Sequence, residues 1–134
     1  MRYFCPKCWS DFAKDLPSCP ECGQDIVAFW AGRGYVGKLI LALEHPEPET
    51  RIRAPWILGM RGEKRAAAAL VNLVETTQDV YGACAGVEAM ARIGTSAAIR
   101  AVRDAAMPHP AAIVREAAQD ALAAALNRPA GALL

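Results

Sequence analysis

The sequence predicts an all-α chain: a short solenoid of about three helix-pair units, with a small cysteine-rich module at its N-terminal end. Two observations carry this. The stretch Thr50 to Gly62 recurs as Gly82 to Gly94 and again as Val114 to Leu126, a constant step of about 32 residues, and a step in that range marks stacked repeats. Ahead of the repeats, Cys5, Cys8, Cys19 and Cys22 form two C-x2-C pairs, a spacing that suits one closed metal site.

The repeat is legible position by position. In the three copies Ala54, Gly86 and Ala118 are small, and Ile57, Ala89 and Ala121 are apolar. Leu58, Met90 and Leu122 are larger, and Gly59, Ala91 and Ala123 are small again. The spacing is that of a helical stripe, one packing face written three times, and its small members allow a neighbouring helix to approach closely.

Composition bounds the reading. With 54% apolar and 22% charged residues over 134 positions, the chain can bury a core and amounts to one ordinary domain or a small domain joined to a tiny one. A formal charge of +1 argues against a general polyanion binder while leaving room for a local basic patch. The opening Met1-Arg2-Tyr3-Phe4-Cys5 lacks the basic-then-apolar pattern of a secretory leader. No apolar run approaches the roughly 18 to 20 residues that a membrane span requires. A soluble, cytoplasmic protein without membrane contact is expected.

The cysteine array, CPKC and CPEC, is the strongest chemical signal. A C-x2-C pair lets two thiolates converge on one ion while adjacent backbone N–H groups point at the sulfurs. A second pair completes a tetrahedral site of the structural zinc kind, one Zn2+ per chain. Four protein ligands leave no open position for water, so such a site holds a fold together and does not activate a nucleophile. A pair of disulfides or a redox C-x-x-C are the alternatives, and a reducing compartment disfavours both. Pro6 and Pro20 stiffen the two turns, and Gly23 is placed to adopt the left-handed conformation that closes the second knuckle.

About the first 26 residues resemble the short zinc-ribbon modules at the ends of many prokaryotic proteins, whose knuckles read CPxCG. Cys19-Pro20-Glu21-Cys22-Gly23 matches, but the first knuckle has Trp9 where that family has glycine. A bulky residue is strained at positive φ. Either the first knuckle twists differently, or Trp9 is held by packing outside the ribbon, as structural cover or as a partner contact. Residues 27–34 then form an apolar docking linker: Ile26-Val27-Ala28-Phe29-Trp30 is too apolar for a solvated segment, and Gly32 and Gly34 punctuate it. It is expected to lie against the first repeat helix, strand-like or helical. A buried Phe or Trp contributes about 1.5 to 3 kcal/mol, so docking would stabilise a ribbon too small to own a core.

The repeats occupy residues 35–134, with helices predicted over 35–44, 47–60, 63–75, 78–92, 95–106 and 110–126. Gly62 and Gly94 end two of them, where a residue without Cβ reverses the chain at low cost. Thr77 is a candidate cap, and Pro46 and Pro110 suit first-turn positions. His45-Pro46 and His109-Pro110 stand two repeat steps apart and read as the same turn twice, not as paired metal or catalytic histidines. Pro55 falls inside the second predicted helix, where a kink is expected. The third unit has no second helix, since only residues 127–134 follow Leu126.

Over about residues 35–126 the chain resembles HEAT-like repeats of the short, phycobilisome-lyase type. The resemblance rests on the stripe named above, on Arg51 and Arg115 near the start of a unit's first helix, and on Gly62 and Gly94 at its turn. It implies a solenoid, and such repeats are specific for fold and nearly silent on function.

Three classes of function follow. The first is a non-catalytic protein–protein interaction or scaffold module, in which ribbon and solenoid together offer the binding surface. The second is a nucleic-acid-binding accessory protein. It would use the ribbon and the stretch 51–65, where Arg51, Arg53, Arg61, Lys64 and Arg65 face Glu63 alone; charge runs on helices are usually solvated faces, yet this is the best electrostatic candidate. The third, a lyase or chaperone for a chromophore, rests on family analogy. No nucleophile with a base and no open metal site appears, so no enzyme is expected. Candidate partner contacts are Trp9, Arg51, Arg53, Lys64 and Arg65. Cys84 reads as a small core-side filler. The alanine-rich last helix, with no helix after it, is expected to bare an apolar end face at Ala118, Leu122 and Leu126, closed by another protein or by a homodimer about a two-fold axis. The tail Ala130 to Leu134 is too short and broken to replace a helix.

Overall fold

The computed structural model describes residues 2–127. A two-stranded antiparallel sheet opens the chain: β1 (Tyr3–Phe4) pairs with β2 (Asp11–Phe12), with Tyr3 opposite Phe12. Helix α1 (Ile26–Ala31) follows, capped by Asp25, whose carboxylate accepts from the Ala28 N–H. Then come α2 (Tyr35–Ala42), α3 (Pro48–Arg61), a 3-10 turn (Lys64–Ala66), α4 (Ala67–Thr76) and α5 (Val80–Ile93). The last elements are α6 (Ser96–Ala101), which continues into one π-helical turn (Val102–Ala106), and α7 (Ala112–Leu126). Among the described residues no helix is long and apolar enough to cross a membrane.

The sequence repeat is a structural repeat. Helices α3, α5 and α7 begin at Pro48, Val80 and Ala112, corresponding positions of successive units; α3 packs along α5 and α5 along α7, making one layer of a short solenoid. The second layer is α2 on α3, α4 on α5, and the π turn against α4, α5 and α7. Between the layers lie Leu58, Leu70, Val74, Val87, Met90, Val102 and Val114, all fully buried. The small members of the stripe set the spacing: a Cβ built on Gly59 would stand 2.9 Å from the Cα of Ala89, and one on Gly86 would stand 3.0 Å from Val74 Cγ2. Gly62 and Gly94 take left-handed φ of 65° and 70° and cap α3 and α5, as expected of residues that reverse a chain after a helix.

Four local expectations are corrected. Pro46 and Pro110 lie outside their helices, which are capped by Glu47 and Ala111. The helix expected from Gln78 begins at Val80, because Asp79 is its cap and accepts from the Tyr81 N–H, while Thr77 accepts from the Asp79 N–H one step earlier. The helix expected from Glu63 begins instead with the 3-10 turn, Glu63 accepting from the Ala66 N–H. The single helix expected over 95–106 widens to a π turn at Val102, in which Val102 and Ala106 are both fully buried.

The N-terminal ribbon closes the second layer. Leu70 and Val74, which follow Lys38 and Ala42 by one repeat step, are fully buried, as are Val102 and Ala106 a step later. Lys38 and Ala42 instead line a cleft with Tyr3, Phe4, Trp9 and Trp30, so the ribbon stands where a preceding unit would stack. The docking segment is the helix α1, though less buried than expected. None of its residues is fully buried, Val27 is 64% exposed, and its rings carry cations, with Arg33 4.2 Å from the Phe29 centroid and Lys38 6.0 Å from that of Trp30.

Candidate metal centre and interaction surfaces

The two knuckles are built alike. In the first, the Cys5 N–H donates to the Ser10 carbonyl and the Trp9 N–H to that of Cys5; in the second, Cys19 donates to Gln24 and Gly23 to Cys19, each at 2.9 Å. The N–H groups of Lys7 and Cys8 point at Cys5 Sγ, and those of Glu21 and Cys22 at Cys19 Sγ, at 3.4 to 3.5 Å. All four sulfurs lie within 4.8 Å of one another, with Cys5–Cys22 and Cys8–Cys19 at 3.6 Å. A disulfide would bring two sulfurs to about 2.05 Å. A tetrahedral ion with bonds of about 2.3 Å sets its sulfurs about 3.8 Å apart. The thiols are free, and the donor set fits one metal ion with no position left over.

Proton affinities within the cluster are spread apart. Hydrogen bonds from the Ser10 hydroxyl and backbone hold the Cys8 thiol down to about 6. At Cys22 the Gln24 N–H lowers the pKa, but desolvation and the neighbouring thiols of Cys5, Cys8 and Cys19 outweigh it and push the thiol up to about 12. Four sulfurs this close repel one another as thiolates, and a bound cation removes that repulsion.

Of the two alternatives for Trp9, the first knuckle does not twist differently; the residue is held at positive φ by packing outside the ribbon. It adopts φ 62°, matching the φ 76° of Gly23, and its ring packs outside the ribbon, 5.1 Å from that of His45. Phe4 lies 4.5 Å from the same imidazole, edge-on. His45 is held from below: its Nδ1 accepts from the Glu47 N–H at 3.1 Å, so the ring is neutral there, and burial lowers its pKa from 6.5.

The His-Pro turns are one device used twice. His109 Nδ1 accepts from the Ala111 N–H at 3.0 Å. Arg51 Nη1 donates to the carbonyls of His45 and Pro46, and Arg115 Nη1 to those of His109 and Pro110, all within 2.9 Å. Arg51 then reaches the next unit, where Nη2 lies 3.3 Å from Asp79 Oδ2, the two side chains being 19% and 17% exposed. It is the clamp between units and is not available to a partner. Sequence reasoning placed Arg51 and Arg115 on the repeat but missed Asp79, whose signal was its place one repeat step after Glu47.

The basic stretch does not converge. Arg51 is spent in the turn, Arg61 pairs with Glu63 at 3.2 Å and covers the Tyr35 ring, and Lys64 and Arg65 are exposed on the 3-10 turn beyond the far end of α3. Arg53 is exposed near the start of α3, and the rise from it to Arg61 is about 12 Å. No single phosphate or acidic residue meets them together.

The end face is corrected as well. Ala118 is fully buried within the chain, so it cannot belong to a bare face. Leu122 is half-buried and Leu126 is 87% exposed, and the exposed side of α7 mixes Glu116, Gln119 and Asp120 with Ile113, Ala123 and Ala124. The tail Ala130 to Leu134 lies outside the described residues. Cys84 is half-buried, donates to the Ile113 carbonyl at 3.7 Å, and has its thiol raised by desolvation and then by Glu88 and Asp79, as a filler does. The larger omission was α3 itself, which exposes Ile52, Trp56 and Met60; their even spacing, one helical turn apart, was the signal.

Two layers of helices in register with the sequence repeat, closed at one end by a four-cysteine knuckle pair, define a short α-solenoid with a metal-ready N-terminal module. The family model of HEAT repeats matches residues 36–123, and the chain belongs to that family. No curated protein and no solved structure matches it. HEAT repeats generally mediate protein–protein interaction and are generally non-enzymatic.

Proposed function

We propose that the chain is a non-catalytic adaptor. Its ribbon, residues 1–26, is held by one Zn2+ on Cys5, Cys8, Cys19 and Cys22, and together with the repeats it forms one protein-binding surface, residues 27–34 joining the two. The observation that carries the reading is the packing of Phe4 and Trp9 on His45. Aromatic contacts of this kind favour one seating of two small modules, and a solenoid presents an extended curved surface beside it. Zn2+ is favoured among ions because four thiolates at tetrahedral spacing with no open position are its structural site. Four free thiols suit a reducing, cytoplasmic compartment.

The test is affinity capture from the native host, with and without nuclease, using the parent chain and His45→Thr. Threonine keeps the turn, as Thr77 does, but removes the aromatic seat. The adaptor reading expects a nuclease-resistant partner that His45→Thr or Cys19→Ser loses. A catch that nuclease abolishes would overturn it in favour of nucleic acid.

A further inference from the structure

The two knuckles close in the same way on different residues. In the second, the Gly23 N–H closes the turn on the Cys19 carbonyl with φ 76°; in the first, the Trp9 N–H closes it on the Cys5 carbonyl with φ 62°. Trp9 is the one non-glycine residue at positive φ among the described residues. Holding a side chain in that conformation costs the equivalent of about tenfold in an equilibrium constant. A Cβ built on Gly23 would meet nothing within 4 Å, so glycine serves the second knuckle through its backbone and not through the space it leaves. Glycine would close the first knuckle equally well and without strain. What tryptophan adds there is its ring.

That ring reaches His45. Phe4 directly precedes Cys5 and Trp9 directly follows Cys8, so the two aromatic residues flank the first ligand pair. Their rings lie edge-on to one imidazole, 4.5 Å and 5.1 Å from it between centroids, and the imidazole is fixed from the repeat side by the Glu47 N–H. The closure of the Cys5–Cys8 turn sets how far apart the two rings stand, and both knuckles that bring the four sulfurs together take the left-handed form at their closing residue. An open turn lets Trp9 relax to negative φ and takes its ring off His45; a seated ring holds the turn closed against its own strain. We propose that metal loading of the four cysteines and seating of the ribbon on His45 are one coupled equilibrium, with Trp9 as the positioning residue that links them.

The proposal rests on the metal-centre reading and adds a control to the adaptor. Tyr3, Trp9 and Trp30 from the N-terminal part and Lys38, Ala42 and His45 from the repeats line a cleft of about 240 Å³ along the seam. In the metal-free chain that seam comes apart and the outer side of α2 is uncovered, so the joint surface exists only in the loaded chain. The coupling is reciprocal: the factor by which seating tightens metal binding is the factor by which metal favours seating.

Zinc itself is the probe, its affinity for the full chain read by competition with a chelator. His45→Thr, which removes the seat, should weaken zinc binding on the order of tenfold. Trp9→Gly relieves the strain and loses the ring together. It should leave the parent affinity within about threefold, yet tighten binding by about fivefold or more in the His45→Thr chain, where no contact with the imidazole remains to lose. The extra freedom of glycine in the open chain is the same in both backgrounds and cancels in the comparison. Seating is read directly from the ring-proton NMR signals of the two histidines. On chelation those of His45 should move as the ring currents of Phe4 and Trp9 are lost, while those of His109, seated in the equivalent turn, stay in place. Equal zinc affinity of the parent and His45→Thr chains overturns the proposal and leaves the metal centre standing. So does a Trp9→Gly effect of the same size in both backgrounds, or a His45 signal indifferent to chelation. A chain that takes up no zinc overturns both readings.

Discussion

Gly59 tests the packing logic most directly, because the substitution that ordinarily helps a helix should harm this one. In an unconstrained helix interior, alanine is better than glycine by about 1 kcal/mol. At Gly59 the added Cβ would stand 2.9 Å from Ala89 Cα and 3.3 Å from Ala89 Cβ and O, against an optimal carbon–carbon separation of about 3.5 to 4.0 Å. Backbone cannot rotate away, so α3 and α5 must part by roughly 0.6 Å or more, and gaps on that scale forfeit a quarter or more of each dispersion contact along the seam. Overpacking near the top of its usual range, about 2 to 3 kcal/mol, less the propensity gain, leaves Gly59→Ala about 1 to 2 kcal/mol less stable. That corresponds to a Tm lower by about 3 to 8 °C. Gly37→Ala is the matched control: its Cβ would meet only Arg33 Cβ, at 3.9 Å, and it should stabilise by about 0.5 to 1 kcal/mol. Gly86→Ala should fall between, since the atom at 3.0 Å is a valine methyl. Urea and thermal unfolding of the three variants gives the order. A Gly59→Ala chain at least as stable as the parent would refute close helix approach as the reason for the small-residue stripe.

Three further outcomes are expected. The purified chain should carry one zinc per molecule by metal analysis, and Cys19→Ser should release it while most of the far-UV helix signal remains; less than half an equivalent with freely titrating thiols counts against the site. Because burial lowers His45 below 6.5, protonation favours the undocked ribbon: docking is at full strength above pH 6.5 and weakens as pH falls below it. Tryptophan fluorescence should follow that loss, and His45→Thr should flatten its pH dependence. Arg51→Met should destabilise by about 1 to 2 kcal/mol, since it takes the guanidinium from the His45 and Pro46 carbonyls and from Asp79 Oδ2 while also removing a buried Nε that has no partner among the described residues, and a double-mutant cycle with Asp79→Asn should show coupling of at least about 0.5 kcal/mol.

Much of the fold was legible because periodicity is a local property. The repeat step reports a helix pair, the stripe Ala54, Ile57, Leu58 and Gly59 reports the buried side, and the glycines at 62 and 94 report the turns. The cysteines were legible for the same reason, as each C-x2-C pair builds its own sulfur cradle from adjacent N–H groups. Charge was misleading. Arg51, Arg53, Lys64 and Arg65 are neighbours in sequence, but α3 is long enough to hold its two ends apart, and Arg51 found its partner in the next unit, at Asp79.

By itself, then, the sequence determined the solenoid register, the glycine turns at 62 and 94 and the clustering of the four cysteines, all of which rest on contacts within one unit or one knuckle. Only the tertiary structure decided how the parts meet: that His45 seats Phe4 and Trp9, that Ala118 is interior, that the ribbon closes one layer, and that Ile52 and Trp56 of α3 are left facing solvent. Those outcomes depend on which of two neighbouring helices has a helix beyond it. A periodic sequence repeats the same face in every unit, and the interruption of that lattice by a differently folded module appears only when the units are stacked.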